Sequence, residues 1–327
     1  MLLAGDVGGT KTLLGLFSRA PERPRPIETR QFTTLDFTDL GAMITEFISG
    51  QGGQGRHLDA IEAACFGVAG PVRDQVARLT NVPWLVDAAA LADRFAIRRV
   101  RLLNDLEAMS HAVPVFEPDE VAVLEKGEAL PTGNAALIAP GTGLGEALLH
   151  NVDGLFVPAP SEGGHADFAA RTRREIELLR ELTRLYGRVH CEHVISGPGL
   201  VNISRFVHAD TGCEVVDLNR PFDELPALIS AAGLKGSCPK CVEALEMFVS
   251  AFGAEAGNLA LRSVATAGVY LGGGIAPKIL PALETGIFLD AFRSKPPMSD
   301  LLATMPVTVI LNPQAGLLGA AVSANRL

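Results

Sequence analysis

The stretch LLAGDVGGTKTLLGLF, residues 2–17, decides the fold. Two apolar runs, Leu2 to Val7 and Thr12 to Phe17, flank a tip of glycine, threonine and lysine, which predicts a β-hairpin. The stretch ALIAPGTGLGEALL, residues 136–149, has the same plan. The tip threonines, Thr10 and Thr142, lie too far apart for a solenoid period, so the repetition indicates a duplicated α/β domain. Two such domains facing each other would place both tips in one cleft.

Composition narrows the function classes. The chain has 327 residues, enough for two domains, and 48% of them are hydrophobic. Its 34 glycines sit mostly beside apolar runs, which is typical of tight turns between strands. The net charge of -9 makes the protein a poor binder of nucleic acid or anionic membranes. The glycine-rich turns therefore favour anion binding by backbone amides rather than by surface lysines.

The targeting features of the sequence and its cysteine usage predict a cytoplasmic protein with reduced thiols. The first residues carry no basic region of a secretory signal, and the weakly polar stretch from Val264 to Pro277 is too short for a membrane span. The five cysteines have no framework spacing. Cys238 and Cys241 form a C-x-x-C pair, but no second pair or nearby histidine accompanies them in the sequence. A plain helix start is therefore favoured over a metal or redox role for that pair.

Several further elements are predicted from periodicity. Helices are expected over Asp39–Ile48, Asp105–Ala112, Thr172–Tyr186, Val242–Thr266 and Pro313–Asn325. The helix from Thr172 is expected to bury Ile176, Leu179, Leu182 and Leu185. Strands are expected over Ala63–Val68, Val100–Leu103, Val269–Leu271 and Pro306–Leu311. Proline-broken and glycine-rich connections are expected over Pro21–Pro26 and Gln51–Gly55.

The glycine tips have the composition of phosphate sites. Gly8, Gly9, Thr10 and Lys11 offer unhindered amides, a hydroxyl and an ammonium. Asp6, at the end of the first strand, can hold Mg²⁺ directly or through water. A second nest, Gly141, Thr142 and Gly143, and a third glycine cluster at 272–274 make the signal much stronger than one tip alone. Neither a Walker A loop nor a dinucleotide fingerprint is present.

Polar residues at predicted strand ends are candidates for chemistry. Asp105 follows an apolar strand and can act as a general base, although a helix N-cap is the plainer role. Glu162 and His165 lie on a loop loosened by Gly163 and Gly164 and can grip vicinal hydroxyls, or can be solvated side chains of a surface loop. Two more residues are candidates. Glu192 can instead be an exposed charge at a helix start. Asn81 can hydrogen-bond a sugar, or can belong to an ordinary Asn-x-Pro turn.

Taken together, these motifs resemble those of bacterial glucokinases. In order along the chain they are Asp6-Val7-Gly8-Gly9-Thr10-Lys11, Gly70-Pro71-Val72 with Asn81-Val82-Pro83-Trp84, Asn104-Asp105, Gly141-Thr142-Gly143-Leu144-Gly145, Ser161-Glu162-Gly163-Gly164-His165 and Ser196-Gly197-Pro198-Gly199. The resemblance implies an α/β protein with the actin-like ATPase (ribonuclease H-like) fold, with two α/β domains around a central cleft. It implies a small domain over residues 1–113, a large domain over 114–309, and a C-terminal helix over 310–327 that returns to the small domain.

The resemblance also implies roles for individual residues. Asp105 matches the catalytic base that activates the 6-hydroxyl of glucose. The glucose-binding positions match Asn104, Glu162, His165 and Glu192, with Asn81 in support. The ATP-binding positions match Gly8, Gly9, Thr10, Lys11, Gly141, Thr142 and Gly143, with Gly272 and Gly273 on the adenosine side. Asp6 matches a position near Mg²⁺, held through water. Dimers are common in the family, so a homodimer is an open alternative, although the sequence shows no interface signature.

The cysteine pattern distinguishes this chain from one group of proteins related to the glucokinases. Repressor–kinase (ROK) sugar kinases typically carry a cysteine-rich zinc motif after the sugar-binding Glu-x-Gly-His segment, whereas Ala166-Asp167-Phe168 follows here and no cysteine cluster appears before Cys191. The resemblance is therefore to the zinc-free glucokinases. The expected reaction is ATP-dependent phosphorylation of D-glucose to glucose 6-phosphate. The alternatives are a kinase for another hexose, such as N-acetylmannosamine or fructose, and a non-catalytic sugar-sensing nucleotide switch.

Overall fold

The computed structural model of the protein describes residues 1–50, 61–79, 82–209 and 212–327. The loop predicted at residues 51–55 and the predicted sugar-binding Asn81 lie outside the described residues. The described chain divides into two compact units, one of Met1–Glu117 with Asn312–Leu327 and one of Pro118–Leu311. We call them unit 1 and unit 2.

The strands of the described chain are β1 (Leu2–Val7), β2 (Lys11–Ser18), β3 (Arg25–Thr33), β4 (Ala63–Val68), β5 (Val72–Arg73), β6 (Val76–Arg78), β7 (Leu85–Asp87), β8 (Arg99–Asn104), β9 (Val121–Glu125), β10 (Ala135–Pro140), β11 (Leu144–Val152), β12 (Leu155–Ser161), β13 (Gly268–Leu271) and β14 (Val307–Ile310). The α-helices are α1 (Leu40–Ser49), α2 (Ala88–Phe95), α3 (Asp105–Ala112), α4 (Arg173–Tyr186), α5 (Gly197–His208), α6 (Leu225–Leu234), α7 (Pro239–Ser263), α8 (Leu280–Leu283), α9 (Ile287–Arg293), α10 (Ser299–Thr304) and α11 (Ala315–Asn325).

Unit 1 is built on a five-stranded sheet with the order β3-β2-β1-β4-β8. The predicted hairpin is confirmed, because β1 pairs antiparallel with β2, and β4 and β8 then continue the sheet in parallel with β1. Apolar clusters cover both faces, which explains the unbroken apolar runs of these strands. One face packs α1, α2 and the small sheet β5-β6-β7, whereas the other packs α11.

Unit 2 repeats this plan in a six-stranded sheet with the order β12-β11-β10-β13-β14-β9. The second predicted hairpin is also confirmed, since β10 pairs antiparallel with β11 and parallel with β13. Helix α7 lies in the core with Phe248 and Phe252 fully buried. The repeated order of hairpin and parallel strands accounts for the duplicated sequence plan.

Two expectations about local structure are wrong. The buried face of α4 is formed by Glu175, Leu178 and Leu182, while Ile176 and Leu185 are 40% and 55% exposed. A spacing of three residues drifts around a helix, so it does not mark one face as well as mixed spacings of three and four do. The connection predicted at Pro21–Pro26 ends earlier, because β3 begins at Arg25 and adds an edge strand to β2.

The described helices include none that is both long enough and apolar enough to cross a bilayer.

Candidate functional site

The first glycine tip in unit 1 is a tight connection between β1 and β2. The Gly8 amide donates to the Lys11 carbonyl at 3.0 Å, and the Thr34 hydroxyl donates to the Gly8 carbonyl at 2.8 Å. A Cβ at position 8 would lie 2.8 Å from the Lys11 oxygen, so only glycine fits there without a shift of backbone. Thr10 and Lys11 are exposed at the tip. The residues predicted to bind phosphate therefore form one hydrogen-bonded turn with an exposed tip.

Two carboxylates lie near this tip. Asp6 is next to the end of β1, and Asp105 begins α3 directly after β8, whose last residue pairs with the last residue of β4. Because β1, β4 and β8 are parallel, their carboxyl ends meet at one edge of the sheet. Burial, together with the negative charge of Asp105, raises the pKa of Asp6 from 3.8 to about 6. The two carboxylates are therefore close enough to repel each other electrostatically.

Helix α11 closes over Asp6 from within unit 1. A Cβ at Gly316 would lie 2.6 Å from Asp6 Oδ2. Further along α11, Gly319 lies against the Ala108 carbonyl with no room for a side chain. The two glycines thus let the C-terminal helix pack tightly on α3 and the carboxylate, and this packing desolvates Asp6.

The start of α3 is held by Asn104 rather than by Asp105 alone. Asn104 is the N-cap residue, its Oδ1 accepts from the Leu106 amide at 3.0 Å, and its Nδ2 donates to the Gly70 carbonyl at 3.3 Å. Asp105 is the first helical residue, and its Oδ1 also accepts from the Leu106 amide at 2.9 Å. The N-cap role considered for Asp105 therefore belongs to Asn104.

The second glycine tip, in unit 2, is tied to Glu192. The Gly141 amide donates to the Gly143 carbonyl at 2.8 Å, and the Leu144 amide donates to Glu192 Oε2 at 2.8 Å. A Cβ at Gly143 would lie 2.5 Å from that same oxygen. Glu192 is part-buried and hydrogen-bonded. The alternative of an exposed charge at a helix start is therefore wrong.

Glu192 also belongs to a cluster with two histidines. The nitrogens of His165 and His190 and a carboxylate oxygen of Glu192 lie within 4.8 Å of one another, and the two imidazole rings are 5.0 Å apart. Glu162 and His165 are exposed, so their polar atoms are accessible to a ligand. The structure thus brings together two of the predicted sugar-binding residues, His165 and Glu192. Sequence reasoning missed His190, which stands two residues before Glu192.

A buried carboxyl group lies beneath the loop of residues 162–165. Glu146 of β11 is 1% exposed, and neither of its side-chain oxygens has a hydrogen-bond partner among the described residues. Burial raises its pKa to about 7, with the negative charge of Glu255 acting in the same direction. Gly163 packs directly against this carboxyl group. The only sequence signal was a charged residue within an apolar strand.

Unit 2 also contains a mostly apolar cavity of about 560 Å³ beside the second tip. Its lining includes Gly141, Thr142, Pro198, Phe222, Gly274 and Lys278. Gly272 and Gly273 instead contact β10: the Gly272 amide donates to the Ile138 carbonyl, and Gly273, with φ of 78°, leaves no space for a Cβ beside the Pro140 carbonyl. Gly272 and Gly273 are therefore not among the residues that line the cavity, whereas the next residue, Gly274, and Lys278, which sequence reasoning missed, do line it.

The repeated hairpin-and-parallel-sheet plan of the two units is the actin-like ATPase fold, a class of proteins that includes sugar kinases. Comparison with known proteins shows which family within this class the chain belongs to. A model of the glucokinase family matches residues 3–327. The chain belongs to the glucokinase family.

Individual relatives agree over their whole length. A curated glucokinase of Nostoc sp. is 39% identical, with 100% of this chain and 99% of that protein covered. A glucokinase of Synechocystis sp. is 37% identical, with 98% and 97% covered. The crystal structure of a glucokinase from an Antarctic psychrotroph has a TM-score of 0.86 at 28% identity, covering 100% of this chain and 99% of that chain. A ROK family glucokinase from Streptomyces griseus, at 22% identity and a TM-score of 0.64, shares the fold.

Proposed function

We propose that this protein transfers the terminal phosphoryl group of ATP to the 6-hydroxyl of D-glucose, giving ADP and glucose 6-phosphate. The observation that carries the proposal is the placement of Asp105 at the carboxyl edge of the unit 1 sheet, beside Asp6 and the first glycine tip, in a chain that matches glucokinases over its full length. The glucokinase from Balamuthia mandrillaris was crystallised in complex with glucose, and the Streptomyces griseus enzyme with glucose and AMPPNP.

Asp105 acts as the general base. Its carboxylate takes the proton from the 6-hydroxyl while that oxygen forms a bond to the γ-phosphorus, and the bond from the γ-phosphorus to the β,γ-bridging oxygen breaks as ADP leaves. Asn104 holds the first turn of α3 and thereby fixes the position of Asp105. A carboxylate suits this task because it accepts the proton as negative charge develops on the attacking oxygen.

The remaining polar residues bind the two substrates. Asn104, Glu162, His165 and Glu192, with Asn81 in support, hydrogen-bond the sugar hydroxyls. Gly8, Gly9, Thr10 and Lys11 hold phosphate oxygens from unit 1, and Gly141, Thr142 and Gly143 hold them from unit 2. The 560 Å³ cavity receives the adenosine, and Gly272 and Gly273 lie on the adenosine side, directly before the cavity-lining Gly274. Glu192 contacts the second tip directly, so sugar and phosphate binding are coupled within unit 2.

Mg²⁺ fits the donor set at Asp6. The pKa of this carboxyl is raised by burial and by Asp105, and a bound cation would offset both effects. Asp6 would therefore hold Mg²⁺, directly or through water, and the ion would neutralise charge on the phosphates. Lys11 and Lys278 supply the protein's own positive charge to the phosphates and the cavity.

Three further statements stay predictions: a cytoplasmic location, from the cysteine usage, and a homodimer and a division into domains at residues 113 and 309, both from the resemblance.

A coupled assay of hexose phosphorylation tests the proposal. Glucose, fructose, mannose and N-acetylmannosamine are each supplied with ATP and Mg²⁺, and ADP release is followed so that every sugar gives the same signal. We expect kcat/KM to be highest for glucose. Faster turnover of another hexose would contradict the substrate, and sugar binding without ADP release would contradict an enzyme altogether.

A further inference from the structure

Four side chains that the proposed reaction does not use meet in unit 2. His208 ends α5, Cys213 follows in the next connection, and Cys238 and Cys241 lie at the start of α7. One ligand atom from each, His208 Nε2 and the three Sγ atoms, lies within 4.8 Å of all the others. His208 and Cys241 are buried, and none of the three cysteines is in a disulfide.

The spacing of these atoms is that of a tetrahedral metal site. Cys213 Sγ lies 3.8 Å from both Cys238 Sγ and Cys241 Sγ, and His208 Nε2 lies 3.5 Å from Cys238 Sγ and 4.0 Å from Cys241 Sγ. Zinc bonds of about 2.3 Å to sulfur and about 2.0 Å to nitrogen, at tetrahedral angles, separate two sulfurs by about 3.8 Å and sulfur from nitrogen by about 3.5 Å. A disulfide would instead draw one sulfur pair together and leave the others apart.

The atoms around the cluster orient it for a metal. His208 Nδ1 lies 2.7 Å from the Ser204 carbonyl, and because a carbonyl only accepts, Nδ1 carries the proton and the Nε2 lone pair faces the thiols. The Val216 amide donates to Cys213 Sγ at 3.3 Å, which holds this sulfur in place beside the other ligands. Cys238 precedes the first turn of the 25-residue α7, where amide groups also favour negative charge.

The sequence expectation for these cysteines was therefore incomplete. The helix start at the C-x-x-C pair is confirmed, because Cys238 is the N-cap residue of α7. The expectation that no further histidine or cysteine joins the pair is wrong, because His208 and Cys213, from an earlier segment of the chain, lie beside it in the fold. The chain thus presents an H-x₄-C segment and a C-x₂-C segment, spacings typical of zinc sites.

We propose that His208, Cys213, Cys238 and Cys241 bind one structural Zn²⁺ ion. Four protein ligands complete a tetrahedron and leave no position for water or substrate, so the ion has a structural rather than a catalytic role. It ties the end of α5 to the start of α7 and fixes both ends of the segment that includes α6. That segment contributes Phe222 and Asp223 to the cavity wall, so the ion also holds the proposed adenosine site in shape.

Metal content tests the site without reference to the kinase reaction. The full chain is purified under reducing conditions without chelator, incubated with Zn²⁺, desalted, and analysed by inductively coupled plasma mass spectrometry. We expect one zinc per chain in the wild type and none in Cys213→Ala/Cys238→Ala. Cys65→Ala is the matched control, because Cys65 is a buried free cysteine in unit 1, and it should keep its zinc. A wild type without zinc, or a double variant with as much as the wild type, would overturn the proposal.

A second measurement covers the case in which the double variant does not fold. Wild-type protein stripped of metal is loaded with Co²⁺, and its visible spectrum is recorded. We expect the intense d–d absorption of tetrahedral cobalt and a sulfur-to-cobalt charge-transfer band. The weak spectrum of octahedral cobalt would refute the site. Both measurements stand whether or not the protein phosphorylates glucose, so failure of the zinc site and failure of the proposed function are separate results.

Discussion

Replacement of Asp6 by asparagine is expected to stabilise the protein while removing its activity. The Asp6 carboxylate is desolvated by its surroundings, including α11, and faces the negative charge of Asp105. The folded state therefore holds an ionised group in an unfavourable place, as functional sites commonly do. Asparagine has nearly the same shape and no charge, so Asp6→Asn removes the cost of ionisation together with the proposed Mg²⁺ ligand.

The size of the effect follows from the pKa. The pKa of Asp6 rises from 3.8 to about 6, and at about 1.4 kcal/mol per pKa unit this destabilises the ionised folded state by about 3 kcal/mol. Below pH 3.8 the group is protonated in both states and nothing is lost. The wild type loses stability as the pH rises from 3.8 to about 6, and above that the loss is complete. The advantage of Asp6→Asn is therefore absent near pH 4 and full at pH 7–8.

Urea unfolding at several pH values, without nucleotide or Mg²⁺, measures this difference. Asp93→Asn is the matched control, because Asp93 is an exposed aspartate of α2 in the same unit. Its free energy of unfolding should follow that of the wild type at every pH. The reasoning is refuted if Asp6→Asn is no more stable than the wild type at pH 8, or if its advantage is as large at pH 4 as at pH 8. Activity of Asp6→Asn close to wild type would separately refute the magnesium role.

Three further variants or treatments test unit 2. Gly143→Ala should lower kcat/KM for glucose about 10- to 100-fold, because the added Cβ displaces Glu192 from a charge-assisted hydrogen bond worth about 1.5–3 kcal/mol; Gly141→Ala, whose Cβ meets open space, should affect glucose less. Lys278→Ala should raise KM for ATP several-fold in steady-state assays, whereas the exposed Lys235→Ala should not. Zinc removal should lower the melting temperature and raise KM for ATP, and added zinc should restore both; a KM unchanged on removal would contradict the link between the ion and the cavity.

The sequence predicted the elements whose signals are local. Both hairpins were found because glycine tips interrupt strong apolar runs, and α3 was placed at its observed ends because a buried strand runs directly into Asn104 and Asp105. The prediction for the buried face of α4 is wrong because residues spaced by three drift around the helix and do not form one stripe. The buried Glu175 on that face is satisfied by the Arg171 guanidinium, a partner that periodicity does not reveal.

The contacts that complete the candidate site join residues far apart in the sequence, so they could not be predicted without the fold. Glu192 reaches Leu144 across 48 residues of sequence, and His190 joins His165 only because two loops pack together. The proposed zinc ligands span His208 to Cys241, and they come together because α5 ends beside the start of α7. Such clusters depend on tertiary packing, and no window along the chain contains them.

The role of Asp105 is the central claim, and Asp105→Asn tests it most directly. Steady-state rates with glucose and ATP are measured for the wild type, Asp105→Asn and the control Asp93→Asn, with glucose binding followed separately by calorimetry. Because general-base catalysis contributes about 10²- to 10⁴-fold, we expect kcat to fall by that factor in Asp105→Asn while its affinity for glucose stays within a few-fold of the wild type. A variant that binds glucose and turns over at a near-normal rate would contradict the account.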